Sequence, residues 1–239
     1  MRALAAIILL PLAACGGPGA EREAPAVSNG GTAEVRNFDA SNFTGVELRG
    51  SDDVDVAIGE RFAVRAEGDA RALDRLEIEV VDGMLRISRR SSNGNWFSDD
   101  DAHVYVTMPR ITAASVSGSG NMRVARAEGD FRGAVSGSGD LDLAELATER
   151  AELSVSGSGD LSAAGRTRAL DASVSGSGDI DAERLTADAA QVSIAGSGDV
   201  SANVDGDASV SIAGSGDAEL GANARCSVRA NGSGSARCG

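Results

Sequence analysis

Residues 154–160 read Ser154-Val155-Ser156-Gly157-Ser158-Gly159-Asp160, and the same seven letters return at Ser173–Asp179. Looser copies begin at Ala134, Ser193 and Ser211. The tripeptide Gly-Ser-Gly begins at Gly118, Gly137, Gly157, Gly176, Gly196, Gly214 and Gly232, at steps of 19, 20, 19, 20, 18 and 18 residues. A period near twenty held over this many copies predicts a solenoid, in which each repeat is one coil stacked on the last.

The side chains around each tripeptide say how a coil is built. Two residues before it stand Val116, Val135, Val155, Val174, Ile194, Ile212 and Ala230. Two residues after it stand Met122, Leu141, Leu161, Ile180, Val200, Ala218 and Ala236. Ser, Asp, Glu and Arg fill the alternate places, which is the period-two pattern of strands with one buried face. Each coil is therefore an apolar strand, a Gly-Ser-Gly corner, a second apolar strand and a looser return. The corner asks for backbone at positive φ and for close approach between coils, and glycine meets both demands. About seven coils of 18–20 residues, at roughly 4.8 Å each, stack to about 34 Å.

Upstream, Val46-Glu47-Leu48-Arg49-Gly50-Ser51-Asp52-Asp53-Val54-Asp55-Val56 has the same grammar in degenerate form. Strands are predicted around Phe62 and Val64, over Leu76–Val81, over Met84–Ile87 and over His103–Met108, the last ended by Pro109. Asp82-Gly83 between two of them is a hairpin signal. Ala70–Leu76 leaves room for one or two helical turns, and residues 91–101 read as a loop. The chain thus divides into a signal peptide (1–14), a tether (15–33), an irregular N-terminal β region continuous with the solenoid (34–112) and the Gly-Ser-Gly β-solenoid (113–239).

Composition narrows the functional classes. Aromatic content is 3%, so the core must be assembled from small aliphatic side chains. The net charge is −14, from 36 acids and 22 bases, every base being Arg. Such a surface repels phosphate backbones and argues against nucleic-acid binding. Arg2 followed by an apolar run to Leu10 and by Leu12-Ala13-Ala14-Cys15 makes a secretory signal too short to span a bilayer. Its ending resembles the lipobox of bacterial lipoproteins, which implies cleavage before Cys15, lipid on that residue and a membrane as partner. Gly16, in place of an Asp, tilts the expected address toward the outer membrane. Residues 16–33, rich in Gly, Pro, Ala and charge, suit a flexible tether.

With the lipoprotein start, Phe43-Thr44-Gly45-Val46, Asp82–Ile87, Val106–Pro109 and the Ser-Val-Ser-Gly-Ser-Gly-Asp repeats, residues 35–235 resemble the auto-transporter adhesin head GIN domain family. The resemblance implies an all-β, right-handed parallel β-helix-like solenoid and a cell-envelope location. It supplies no catalytic residue.

Several residues compete for functional roles. Asp140, Asp160, Asp179, Asp199 and Asp217 follow successive corners, between Asn121 and Ser235. At about 4.8 Å, neighbouring carboxylates repel by roughly 1 kcal/mol even in water, so something must offset them. Either a cation does, Ca²⁺ being the natural choice for oxygen ligands, or each Asp accepts backbone N–H groups at the corner. Ser115, Ser154, Ser173, Ser193 and Ser211, with Ser117, Ser136, Ser156 and Ser175, form hydroxyl columns that suit either a sugar or protein partner or a plain solvated face. Trp96 and Phe97, beside Asp99, Asp100 and Asp101, read as a contact loop or as a cap on one end of the helix. Cys226 and Cys238 fall on inward positions of the last coil and, in an oxidising envelope, pair more often than not. His103 is the only histidine, with no triad or zinc-ligand grammar around it.

The reading is a non-enzymatic, lipid-anchored envelope module for adhesion or binding, with an unidentified protein or glycan partner and no cofactor apart from the Ca²⁺ option. The competing readings are a periplasmic structural or stress-related lipoprotein and, furthest back, a β-helix polysaccharide lyase or hydrolase, against which the tight coils argue.

Overall fold

In the computed structural model, residues 33–90 and 102–239 are described. Cys15, Trp96, Phe97 and Asp99–Asp101, like the signal and most of the tether, lie outside the described residues. Among the described residues, seventeen strands and one short helix follow one another. The N-terminal part holds β1 (Ala33–Phe38), β2 (Gly45–Gly50), β3 (Asp53–Ile58), β4 (Ala63–Asp69), α1 (Ala70–Arg75), β5 (Leu76–Val81), β6 (Met84–Arg89), β7 (Ala102–Met108), β8 (Ala113–Gly118) and β9 (Met122–Val124). Long strands that bend around the coil come next: β10 (Ala127–Gly137), β11 (Leu141–Gly157), β12 (Leu161–Gly176), β13 (Ile180–Gly196) and β14 (Val200–Gly214). The chain finishes with β15 (Ala218–Glu219), β16 (Arg225–Gly232) and β17 (Ala236–Arg237). The protein is an all-β solenoid of about seven turns with a less regular N-terminal region.

Register is kept letter by letter on the face before the corner. Val116 lies beside Val135, then Val155, Val174, Ile194, Ile212 and Ala230, every pairing parallel. After the corner, Met122, Leu141, Leu161, Ile180, Val200, Ala218 and Ala236 form the facing column. Except in the last coil, the members of both columns are at most 2% exposed, so the apolar ladder predicted from alternation is the core. The degenerate stretch Val46–Val56 is a coil of the same stack: β2 pairs with β8, Gly50 beside Gly118, and β3 pairs with β9.

The return from one coil to the next differs from the sequence expectation. It is not loose but a third hydrogen-bonded leg, Ala127–Gly129 pairing with Leu146–Thr148, which pairs with Gly165–Thr167 and then Leu185–Ala187. Register shifts flank this leg, between Leu143 and Leu146, Ser162 and Ala164, and Ala182 and Thr186. The variation in coil length is absorbed there, which is why the leg carries no repeated motif.

The corner is set by backbone alone. In each repeat the N–H groups of Ser and of the second Gly both donate to the carbonyl of the first Gly one coil below. For the coil at Gly157 the distances are 2.8 Å from Ser158 and 3.0 Å from Gly159 to the Gly137 oxygen. Gly157 sits at φ +131°, where a Cβ is strained. A Cβ on Gly159, whose φ is not the obstacle, would stand 2.0 Å from the Gly139 carbonyl oxygen. The two glycines are therefore required for different reasons, conformation together with approach at the first and approach alone at the second.

At the N-terminal end the column stops, and the sequence changes to suit. Asp52 stands where the other corners have their second Gly. Its side chain is fully buried. It accepts the Ala102 N–H at 2.9 Å and an ion pair from Arg89, whose Nε lies 2.9 Å from Oδ2. The Asp52 carboxylate thus occupies the space a further corner would have filled, and β6 and β7 close the end around it. The Asp82-Gly83 turn joins antiparallel β5 and β6 with both residues at positive φ, 52° and 76°, as a two-residue hairpin with this dipeptide demands. α1 fills the helical allowance in the sequence, capped by the Asp69 carboxylate on the Arg71 N–H.

Asp52→Ala leaves the Arg89 guanidinium and the Ala102 N–H without this acceptor in a buried setting. We expect a loss of about 3 kcal/mol or more in urea unfolding, the scale for breaking a buried pair. A loss below about 1 kcal/mol would remove Asp52 as the end cap.

Candidate binding surfaces of the solenoid

The acidic column lies along the outer edge of the corners, and its geometry resolves how the charges coexist. The Oδ1 atom of each Asp accepts the backbone N–H of the residue at the same place one coil on. The distances are 2.9 Å from Asp140 to the Asp160 N–H, 2.9 Å from Asp160 to Asp179, 2.7 Å from Asp179 to Asp199, 2.7 Å from Asp199 to Asp217 and 2.7 Å from Asp217 to Ser235. Asn121 accepts from Asp140 in the same manner, at 3.3 Å, and itself donates to Asp53. Asp53 is a member that the sequence pattern did not single out. The signal was present, because Gly50-Ser51-Asp52-Asp53 stands in the place of Gly-Ser-Gly-Asp. A charge-assisted bond to each carboxylate offsets the repulsion between neighbours. Among the described residues no group of three or more His, Cys, Asp or Glu side chains is arranged to hold a metal ion.

Ser235 ends this ladder with an extra donor: its Oγ lies 2.9 Å from the same Asp217 oxygen that takes its N–H. The backbone bond first and the hydroxyl second hold the Asp217 carboxyl below the usual aspartate range.

The serines occupy the outer face of the sheet before the corner. Ser117, Ser136, Ser156 and Ser175 are exposed and in register across four coils, as are Ser173, Ser193 and Ser211 one step inward along the strands, while Ser115 and Ser154 are half-buried. The result is a hydroxyl surface bounded in register by Glu47 and Arg49 at one end and by Arg229 at the other. The opposite outer face, after the corner, carries a mixed column: Tyr105, Asp55, Arg123, Asp142, Ser162, Asp181, Ser201, Glu219 and Arg237 lie side by side.

His103 lies on β7 with its Nε2 2.8 Å from Asp55 Oδ2 and its ring stacked on Tyr105 at 4.6 Å between centroids. The Arg65 guanidinium sits 4.6 Å from the Tyr105 ring centre. Both partners are already used locally, and no Ser or Cys nucleophile stands among these contacts.

A groove of about 800 Å³ opens beside the third leg, where Ala127–Gly129 has, among the described residues, a neighbouring strand on one side only. Ile58 and Pro109 line it together with Arg110, Arg126, Glu128 and Glu145, so its charges are balanced. Sequence reading missed it, because it arises from where the third leg begins and no motif marks that point.

Cys226 and Cys238 are joined as a disulfide, with Cα atoms 6.1 Å apart. Both are only partly buried.

For Asp217 the pH consequence has a definite sign. A carboxyl whose folded-state pKa is depressed stabilises the fold above its unfolded value, near 3.8, and that stabilisation is lost as pH falls through the folded value. Asp217→Asn keeps an acceptor for the Ser235 N–H but does not titrate. Denaturant unfolding followed between roughly pH 5 and pH 2 should therefore fall less steeply in the variant than in the parent protein. Identical acid limbs would contradict the bond's role.

The chain covers 86% of its length on a putative adhesin of Bacteroides fragilis, matching 96% of that chain with a TM-score of 0.77 and 17% identity. A putative adhesin of Parabacteroides distasonis aligns over 87% of this chain and 98% of its own, with a TM-score of 0.66 and 22% identity. A putative lipid binding protein of the same organism aligns over 88% and 97%, with a TM-score of 0.65 and 20% identity. At these identities the likeness is one of fold. No curated protein matches the chain. Residues 42–224 match the family described as "Putative auto-transporter adhesin, head GIN domain", a span from just before Phe43 through all but the last coil, and the chain belongs to that family.

Proposed function

We propose that the protein is a non-enzymatic, lipid-anchored module of the cell envelope that binds a protein or glycan partner through the outer faces of its solenoid. The observation that carries this reading is the regularity of the surface. Rows of Ser and Asp repeat at one coil spacing on a backbone locked by the corner bonds, so many weak contacts can be made in register with little ordering cost. Membership of an adhesin family and the likeness to adhesin folds support the same class. The anchor rests on Arg2, the apolar run to Leu10 and Leu12-Ala13-Ala14-Cys15. The Asp column is read as structural, since its Oδ1 atoms already accept backbone donors, and the module needs no cofactor in this account.

The experiment is protease shaving of intact and lysed cells carrying the protein with a C-terminal tag, in parallel with adherence of cells lacking the gene. The expected result is loss of the tag from intact cells and reduced adherence restored by complementation. A tag lost only from lysed cells, with adherence unchanged, would overturn surface binding.

A further inference from the structure

We propose that an extended peptide segment of a partner protein binds as a strand in the groove beside Ala127–Gly129, where it fills the third leg that one coil of the stack lacks. The site is separate from the outer faces, and the inference does not rest on the adhesion reading.

The gap follows from the topology. β2 and β3 form a coil, but after Ile58 the chain does not run on into a third leg; it turns into β4, antiparallel to β7. β7 lies on the side of β3 away from β9, and its exit, Pro109–Thr112, climbs past the level of the β2–β3 coil to reach β8. The next coil does have a third leg, Ala127–Gly129, with Leu146–Thr148 stacked on it. On its other side lies the groove, with Pro109, Arg110 and Ile111 across from it. Backbone bonds bracket the gap: the Ala125 N–H donates to Val56 at 2.9 Å, and the Arg132 N–H to Thr112 at 2.9 Å. Between these two points no strand among the described residues pairs on that side. At about 800 Å³ the groove falls in the range of ligand sites, roughly 300–1,000 Å³.

The chemistry of the gap specifies its occupant. In this stack inward residues donate their N–H to the next coil, as Leu141 does to Asp160 at 3.0 Å and Val204 to Leu220 at 3.1 Å. Outward residues face the coil before, as Arg132 does. Glu128 is outward, so its N–H and C=O face the groove as a template for another parallel strand. Strand addition takes its affinity from main-chain bonds and its specificity from alternate side chains. Inward positions of the added strand fall between Ala127 and Ile111, beside Ile58, which is 41% exposed, so a large aliphatic residue suits them. The outward position before that residue falls beside Arg126, with Arg110 across the groove. Arg126 is already paired with Glu128 at 2.8 Å. Arg110 reaches over Gly129, where a Cβ would stand 3.0 Å from its guanidinium. Its side chain is exposed and can turn to meet a carboxylate, so an acid is favoured at that position. The chain's own third leg one coil on, Ala144-Glu145-Leu146-Ala147-Thr148, has this pattern. Gly129, at φ +79°, ends the run, so the ladder is short and the complex weak and reversible.

The test titrates the capped peptide Ala-Glu-Leu-Ala-Thr, copied from Ala144–Thr148, into the full ¹⁵N-labelled chain carrying Cys15→Ser, which removes the proposed lipid site. Backbone amides are followed by NMR at peptide concentrations up to about 5 mM, where even a millimolar complex is mostly formed. The expected result is saturable shifts confined to the groove, at Arg126–Asp130, Ile58 and Arg110–Ile111. An ester in place of the Leu amide removes the N–H that faces the Ala127–Gly129 strand and should weaken binding about tenfold. An ester at the second Ala, whose N–H faces away, should cost less than about threefold. Arg110→Glu should weaken binding of this peptide about tenfold with a melting temperature near the parent's, and Lys in place of the peptide's Glu should restore it. No saturable shift, shifts spread over the outer faces, two esters that bind alike, or an Arg110→Glu variant that binds as the parent does would overturn the proposal. So would groove amides that shift on deletion of residues 16–32 with no peptide present, which would make the chain's own tether the occupant.

Discussion

Everything in this structure depends on how closely one coil can approach the next at the corner. The first Gly carbonyl of each coil accepts two N–H groups from the coil above, and the second Gly sits where a single Cβ would be 2.0 Å from a carbonyl oxygen. That approach fixes the register of the two flanking strands. Once register is fixed, every Val, Leu and Ile two residues from a corner falls into a column. A core of small aliphatic side chains, poor in aromatics, is then sufficient because its packing is layered.

The same constraint shapes the surface. Coils held in register bring the residue after each corner next to its copy, and for Asp this would be repulsive. The acidic ladder turns the neighbour's backbone N–H toward the carboxylate, so the column ties coil to coil. At the N-terminal end the repeat is broken by a buried carboxylate, Asp52, which holds Arg89 and the Ala102 N–H and seals the corner column. In the last coil a disulfide joins Cys226 and Cys238, beside the exposed Val228 and with Arg225, Arg229 and Arg237 nearby in sequence.

The repeat and the alternation around it predict the solenoid and the two apolar columns, and the Asp82-Gly83 dipeptide predicts the hairpin, because those features use local rules: period two, and glycine at positive φ. The third leg was not legible. It is held by backbone bonds whose register slips from coil to coil, so it leaves no shared letters. Asp52 stands within a degenerate coil and nothing local marks it as a cap, since its role depends on Arg89 and Ala102, 37 and 50 residues away. The acidic column was seen as a pattern with two explanations, and only the direction of the Oδ1 atoms shows that backbone N–H groups take them up.

The most direct test of the account compares Gly159→Ala with Ser158→Ala at the same central corner, by denaturant unfolding. The account predicts that the added Cβ at residue 159 costs about 3 kcal/mol or more, because backbone on both sides must move. The exposed Ser158, whose side chain takes no part in the corner bonds, should change stability by no more than about 0.5 kcal/mol. Equal and small effects at the two positions would contradict the claim that close approach of the corners holds the stack together.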